Sequence, residues 1–192
     1  MGLKILFYIF LGFLLSPKVF GQSKFEKEYR IKDVDIPGQA IDFMDSSRIS
    51  SNIKWFREES QDGISVEAKF SYLKANHSIE FDTLGNVLDM EVERTLGDLE
   101  TGLKKNIIKA LDSLFSKYKI SKTQAQWTGS RQDHLQRLWS GESVNSTAPR
   151  YEIVVKGKKD GSSRYYEVLL EADGHVVNML PITIRSAYNL DF

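Results

Sequence analysis

The residues of this sequence with the means for chemistry are three histidines, a scatter of serines and one row of alternating acids, and none is spaced for a reaction. His77, His134 and His175 fall outside any H-E-x-x-H spacing and no acidic cluster flanks them, so no metal site is expected and no cofactor is implied. His77 and His175 stand beside expected turns, where exposed polar side chains belong. No serine lies in Gly-x-Ser-x-Gly, and Ser140-Gly141-Glu142-Ser143 has the make-up of a loop. Gly157-Lys158-Lys159-Asp160-Gly161 lacks the spacing of a phosphate-binding loop and reads as a hairpin connection. Asp89, Glu91 and Glu93 are the residue types of a general acid/base pair or a calcium site. Their alternation with Leu88, Met90 and Val92 already accounts for them as the solvated face of a strand. No catalytic residue is assigned, and the chain is expected not to be an enzyme.

One stretch has the composition of a binding surface. Thr128 to Arg150 separates Trp127 from Tyr151 by more than twenty residues, where the earlier stretch from Trp55 to Ile64 has only a brief turn. Loops of that length in compact domains are often binding loops or inserts. Arg131, Leu135, Arg137, Leu138 and Trp139 are its candidate partner-binding residues, since Trp and Arg are enriched in binding hot spots. The competing expectation is a short amphipathic helix folded back on the domain. Trp55 and Trp127 read as helix–sheet contacts, because aromatic side chains carry large buried area.

The elements that would position these residues are organised around a stretch that occurs twice. Ile79-Glu80-Phe81-Asp82-Thr83-Leu84-Gly85 returns in degenerate form as Val168-Leu169-Leu170-Glu171-Ala172-Asp173-Gly174. In each, an alternating strand ends in an acid (Asp82, Glu171) and a glycine follows three residues later, the pattern of a hairpin turn that needs positive φ. Upstream of the first copy, Pro37 opens a short helix that stops in the serines from Ser46 to Ser51. Strands follow at Ile53–Arg57 and Ile64–Leu73, the second joined on through Gln61-Asp62-Gly63, with Val66, Ala68, Phe70 and Tyr72 on one face. From Leu99 to Tyr118 the period becomes helical, with Leu99, Leu103, Ile107, Leu111, Leu114 and Phe115 in one stripe. A short strand around Trp127 and strands at Tyr151–Lys156, Arg164–Glu171 and His175–Leu180 complete a second unit. Residues 22–36 read as a loosely ordered polar lead-in, and 181–192 as a tail.

The N-terminus sets the compartment. Lys4 precedes an apolar run of 11 residues, Ile5 to Leu15, followed by Val19-Phe20-Gly21. That is a signal peptide over 1–21, since the run is too short to span a bilayer. Cleavage near Gly21 would leave a periplasmic or secreted chain without stable membrane insertion. No cysteine is present, so there is no lipid attachment through Cys and no disulfide, which points to a bacterial envelope protein. In such a protein the sequons Asn76-His77-Ser78 and Asn145-Ser146-Thr147 carry little meaning. The 26 basic and 26 acidic side chains balance, and the leader removes only Lys4 and Lys18 from this count. Near-neutral charge without a basic cluster argues against nucleic acid as partner.

The order helix, Trp strand and strand-Asp-x-x-Gly hairpin resembles the PepSY-like family of exported bacterial domains, which shares its architecture with the tandem β-lactamase inhibitor proteins. Pro37, Trp55, Val66 to Phe70 and Ile79 to Gly85 carry the resemblance in the first unit, and Trp127, Tyr151 to Ile153 and Leu170 to Gly174 in the second. It implies an α+β fold: a tandem repeat of a helix followed by four antiparallel strands, with helices on one face of a curved antiparallel sheet. The units would span 37–95 and 96–192, the second holding the insert 128–150. It also implies a non-enzymatic module that recognises or inhibits an envelope or secreted protein. The alternative is a binder of a small apolar or glycan ligand in a hollow lined by Phe70, Tyr72, Phe81 and Met90.

Overall fold

The computed structural model describes residues 25–61, 63–140 and 148–182. The expected signal peptide, the loop at 141–143, the sequon at Asn145 and the tail beyond 182 lie outside the described residues, as does Asp62 of the expected turn. Among the described residues nine strands form one antiparallel sheet in which every neighbour in sequence is a neighbour in space. The strands are β1 Glu26–Arg30, β2 Lys54–Ser60, β3 Gly63–Tyr72, β4 Ala75–Phe81, β5 Val87–Glu93, β6 Lys117–Thr128, β7 Arg150–Lys159, β8 Ser162–Leu170 and β9 Val176–Ile182. The helices are α1 Gly38–Ser47, α2 Thr101–Leu114 and α3 Arg131–Ser140. The class is α+β.

Period-two patterning decides which face of the sheet is covered. Pairings Ala68↔Ile79, Ile79↔Met90 and Met90↔Trp127 run one apolar row across β3 to β6, and Ile153↔Val168 and Val168↔Met179 continue it in β7 to β9. Helices lie on this row because it cannot stay in water. Ala40, Phe43 and Met44 of α1 meet Ala68, Ile79, Phe81 and Met90 in one core cluster. Ile107, Ala110 and Leu111 of α2 meet Ile153, Val155, Val168 and Leu170 in another. Trp127 packs against both and joins them.

The hairpins at Asp82 and Glu171 have one geometry. Asp82 and Glu171 each donate their N–H to a carbonyl four residues on, and Gly85 and Gly174 each donate back to that acid's carbonyl at 2.9 Å. Both glycines have φ of 89°, and both turns press on a helix. A Cβ on Gly85 would stand 2.6 Å from the Ala40 nitrogen of α1, and one on Gly174 would stand 2.9 Å from the Asn106 carbonyl oxygen of α2.

Several expectations need correction. Residues 26–30 of the expected lead-in form β1, an edge strand paired to β2 from Glu26↔Ser60 to Arg30↔Phe56. Such a short charged strand gains its order from the partner rather than from its own propensity. The second helix ends at Leu114, because Phe115 is already extended and Ser116 donates to the Lys158 carbonyl at 3.0 Å. Lys117 to Ile120 alternate, and the strand expected around Trp127 is the end of a 12-residue strand, with a bulge between Ile120 and Lys122. His77 is buried rather than exposed: it shares strand parity with Ile79 and Phe81, and its ring stacks on Phe70 at 5.4 Å. Burial lowers its pKa, against a bond to the Ala75 carbonyl.

Candidate functional site

The expected binding stretch is anchored by α3, and its sequence explains why a helix forms there. Ser130 donates to Asp133 Oδ2 from its N–H at 2.9 Å and from its hydroxyl at 2.6 Å, while the Asp133 N–H donates to Ser130 Oγ at 3.2 Å. This reciprocal cap occupies helix-start donors that would otherwise lack partners. The bonds from Ser130 hold the Asp133 carboxyl below the usual carboxylate range.

The helix then divides its residues between two faces. Leu135 and Leu138 are 5 % and 3 % exposed and belong to the first core cluster, with α1. Arg137 is buried too, its guanidinium 4.5 Å from the Trp127 ring centre. These three therefore turn inward, and the expected partner-contact set loses Leu135, Arg137 and Leu138 for a simple reason: their surface is already spent on the core. His134 is 1 % exposed, and neither ring nitrogen makes a hydrogen bond of good geometry. Burial, then the nearby Arg137 charge, lowers its pKa, which Asp133 and the Gly129 backbone offset only in part.

Arg131 and Trp139 remain on the outer face. Arg131 clamps α3 to α1, donating to the Asp42 carbonyl at 3.1 Å and to Ser46 Oγ at 3.0 Å, with its guanidinium 5.2 Å from the Phe43 ring centre. Trp139 is 46 % exposed. Its Nε1 donates to the Ser46 carbonyl at 3.3 Å and Arg48 stands 5.7 Å from its ring centre. A large aromatic face is thus displayed on two packed helices. Ser130-x-x-Asp133 was the legible signal for this helix, and it is absent from a reading based on the insert's length and residue types alone.

The opposite, helix-free face of the sheet is polar. Lys69, Ser78 and Gln124 are buried there although no helix among the described residues covers them. Lys69 of β3 meets Glu28 Oε1 of β1 at 2.8 Å, across the whole of β2, and Glu67 at 3.2 Å. Strands lie about 4.8 Å apart, so a long Lys and a Glu side chain can meet over one intervening strand. Asp89, Glu91 and Glu93 lie on it, held by amides rather than simply solvated. Gln126 donates to Asp89 at 3.0 Å, Gln124 to Glu91 at 2.6 Å and Asn76 to Glu93 at 2.8 Å. Among the described residues no group of three His, Cys, Asp or Glu side chains is placed to hold a metal ion.

The expected hollow between sheet and helices is filled. Phe81 and Met90 are wholly buried, Phe43 sits edge-on to Phe81 at 5.5 Å, and Phe70 packs in the same cluster. Trp55 lies 5.9 Å from Phe81, and Leu170 is buried in the second cluster. Glu171 pairs with Arg150 at 3.0 Å.

Three solved structures share this arrangement. A protein of Bacteroides eggerthii described as periplasmic aligns with a TM-score of 0.51 at 15% identity, covering 76% of this chain and 88% of its own. A DUF2874 family protein from Bacteroides ovatus aligns at 0.50 and 14% identity, over 77% and 89%. Another from Bacteroides uniformis aligns at 0.51 and 9% identity, over 76% and 89%. The chain resembles them in fold. At these identities the likeness concerns the fold alone. A BLIP-like protein from Bacteroides fragilis aligns at a TM-score of 0.49 and 15% identity, over 79% and 91%. No family model and no curated protein matches the sequence. No helix among the described residues is long and apolar enough to cross a membrane.

Proposed function

We propose that the chain is an exported, non-enzymatic binding module that recognises or inhibits another envelope or secreted protein through the outer face of α1 and α3. The leader is removed near Gly21, and the mature chain acts in the periplasm or outside the cell. Residues 37–95 and 96–192 are two PepSY-like repeats, a reading supported by the order of one helix before β2 to β5 and one before β6 to β9, and by the matched turns at Gly85 and Gly174.

Trp139 is the observation that carries the reading. A tryptophan held in place by Ser46 and Arg48 but left 46 % exposed offers apolar area without an ordering cost, the property of a binding hot spot. Filling of the hollow around Phe81 and Met90 removes the space that the small-ligand alternative required there. The test is capture of partners from envelope extract with the intact mature chain and with Trp139→Ala. The variant is expected to keep its melting temperature and lose the captured protein. A large fall in melting temperature would assign Trp139 to packing, and unchanged capture would exclude it from the interface. Replacing all of α3 by a linker is the wrong control, because Leu135 and Leu138 would leave the core with it.

A further inference from the structure

A hollow lies on the helix-free face of the sheet, and Trp139 is not among the residues that line it. Between β1, β2 and β3 the structure encloses a hollow of about 710 Å³, within the size range of small-molecule sites, roughly 300–1,000 Å³. Phe56 and the Lys69–Glu28 pair line its interior, and Arg30 and Lys54 line it as well. These cations differ in what they already hold. Lys69 is engaged by Glu28 at 2.8 Å and Glu67 at 3.2 Å, and stands 5.1 Å from the Phe56 ring centre. The side chains of Arg30 and Lys54 make no ion pair or hydrogen bond among the described residues. The lining thus carries three cations against the single carboxylate of Glu28, and Glu67 behind Lys69 still leaves an excess of positive charge. An aromatic wall beside two uncommitted cations matches a particular chemistry: an apolar body for Phe56 and an anionic end for the fork of Arg30 and the ammonium of Lys54.

We infer that this hollow binds an organic carboxylate with an apolar body, its anionic end on Arg30 and Lys54 and its body against Phe56. This is independent of the protein-binding reading, since none of these residues belongs to the α1–α3 platform.

The test is calorimetric titration of the chain from Gln22 onward with dodecanoate and with 2-naphthoate, each beside its uncharged alcohol. The result expected is binding of one molecule per chain for at least one acid, its alcohol binding at least about tenfold more weakly, and affinity falling as salt is raised. Which acid binds tells an aliphatic body from an aromatic one. Arg30→Gln with Lys54→Gln is expected to lose about tenfold in affinity for the acid and none for the alcohol. Lys104→Gln with Lys105→Gln, on exposed positions of α2, is expected to change neither. If the first pair of substitutions unfolds the chain, the charge-keeping pair Arg30→Lys and Lys54→Arg serves instead and should retain binding. Absence of binding by both acids, equal binding by the alcohols, or an equal loss from the α2 pair would overturn the proposal.

Discussion

At the scale of single residues, two positions decide more than their size suggests. Gly85 stands at φ 89° with the Ala40 nitrogen 2.6 Å from where its Cβ would be, so Gly85→Ala meets backbone strain and a collision with α1 together. A loss of at least about 2 kcal/mol is expected, seen as a lower denaturant midpoint with an unchanged slope. His134 has no such steric constraint but a titrating one. Its ring takes up protons near 6.5 in the unfolded chain and lower in the folded one. The unfolded state therefore holds more protons in that window, and stability falls as pH drops through it. His134→Leu removes two buried nitrogens that make no hydrogen bond of good geometry, so it is expected to hold or raise the melting temperature at neutral pH. It should also flatten the decline as pH falls below about 6.5, leaving the part due to His77. Melting curves across that range measure both.

At the scale of elements, α3 is the piece with two faces and two jobs. Leu138→Ala should cost about 2–5 kcal/mol, because the side chain is 3 % exposed in the α1 cluster, whereas Trp139→Ala next to it should cost little stability. The contrast between neighbours, read by chemical denaturation, separates anchoring from display. On the other side of the sheet, Lys69 ties β1 to β3 through Glu28. Lys69→Met leaves two carboxylates facing each other in a buried place, and a loss of about 3 kcal/mol is expected. Release of β1 should accompany it, visible as faster amide exchange at residues 26–30 while β7 and β8 keep their protection.

At the scale of the whole molecule, the chain is knitted together at β5 and β6. Met90 pairs with Trp127 there, and Trp127 packs against both clusters. Moreover α3, which follows β6, supplies Leu135 and Leu138 to the cluster built on β3, β4 and α1. A fragment of residues 22–95 lacks both, and is expected to show no cooperative unfolding transition, while the intact chain unfolds in one step by circular dichroism and tryptophan fluorescence alike.

What the sequence determined by itself is whatever each segment states locally. The alternation of Val66, Ala68 and Phe70, the stripe of Ile107 and Leu111, and the glycines after Asp82 and Glu171 each specify a strand, a helix or a turn without reference to distant residues. They do so because side-chain period and positive φ are local properties. Tertiary structure decided the rest. β1 exists because β2 offers it hydrogen bonds, which no pattern in four charged residues and a tyrosine announces. The division of α3 into an inward Leu135 and Leu138 and an outward Trp139 depended on where α1 lies, since an amphipathic stripe looks the same whether its partner is the domain's own core or another protein. The hollow lined by Arg30 and Lys54 likewise arises from strand pairing, which brings together three strands whose separate sequences say only which residues share a face.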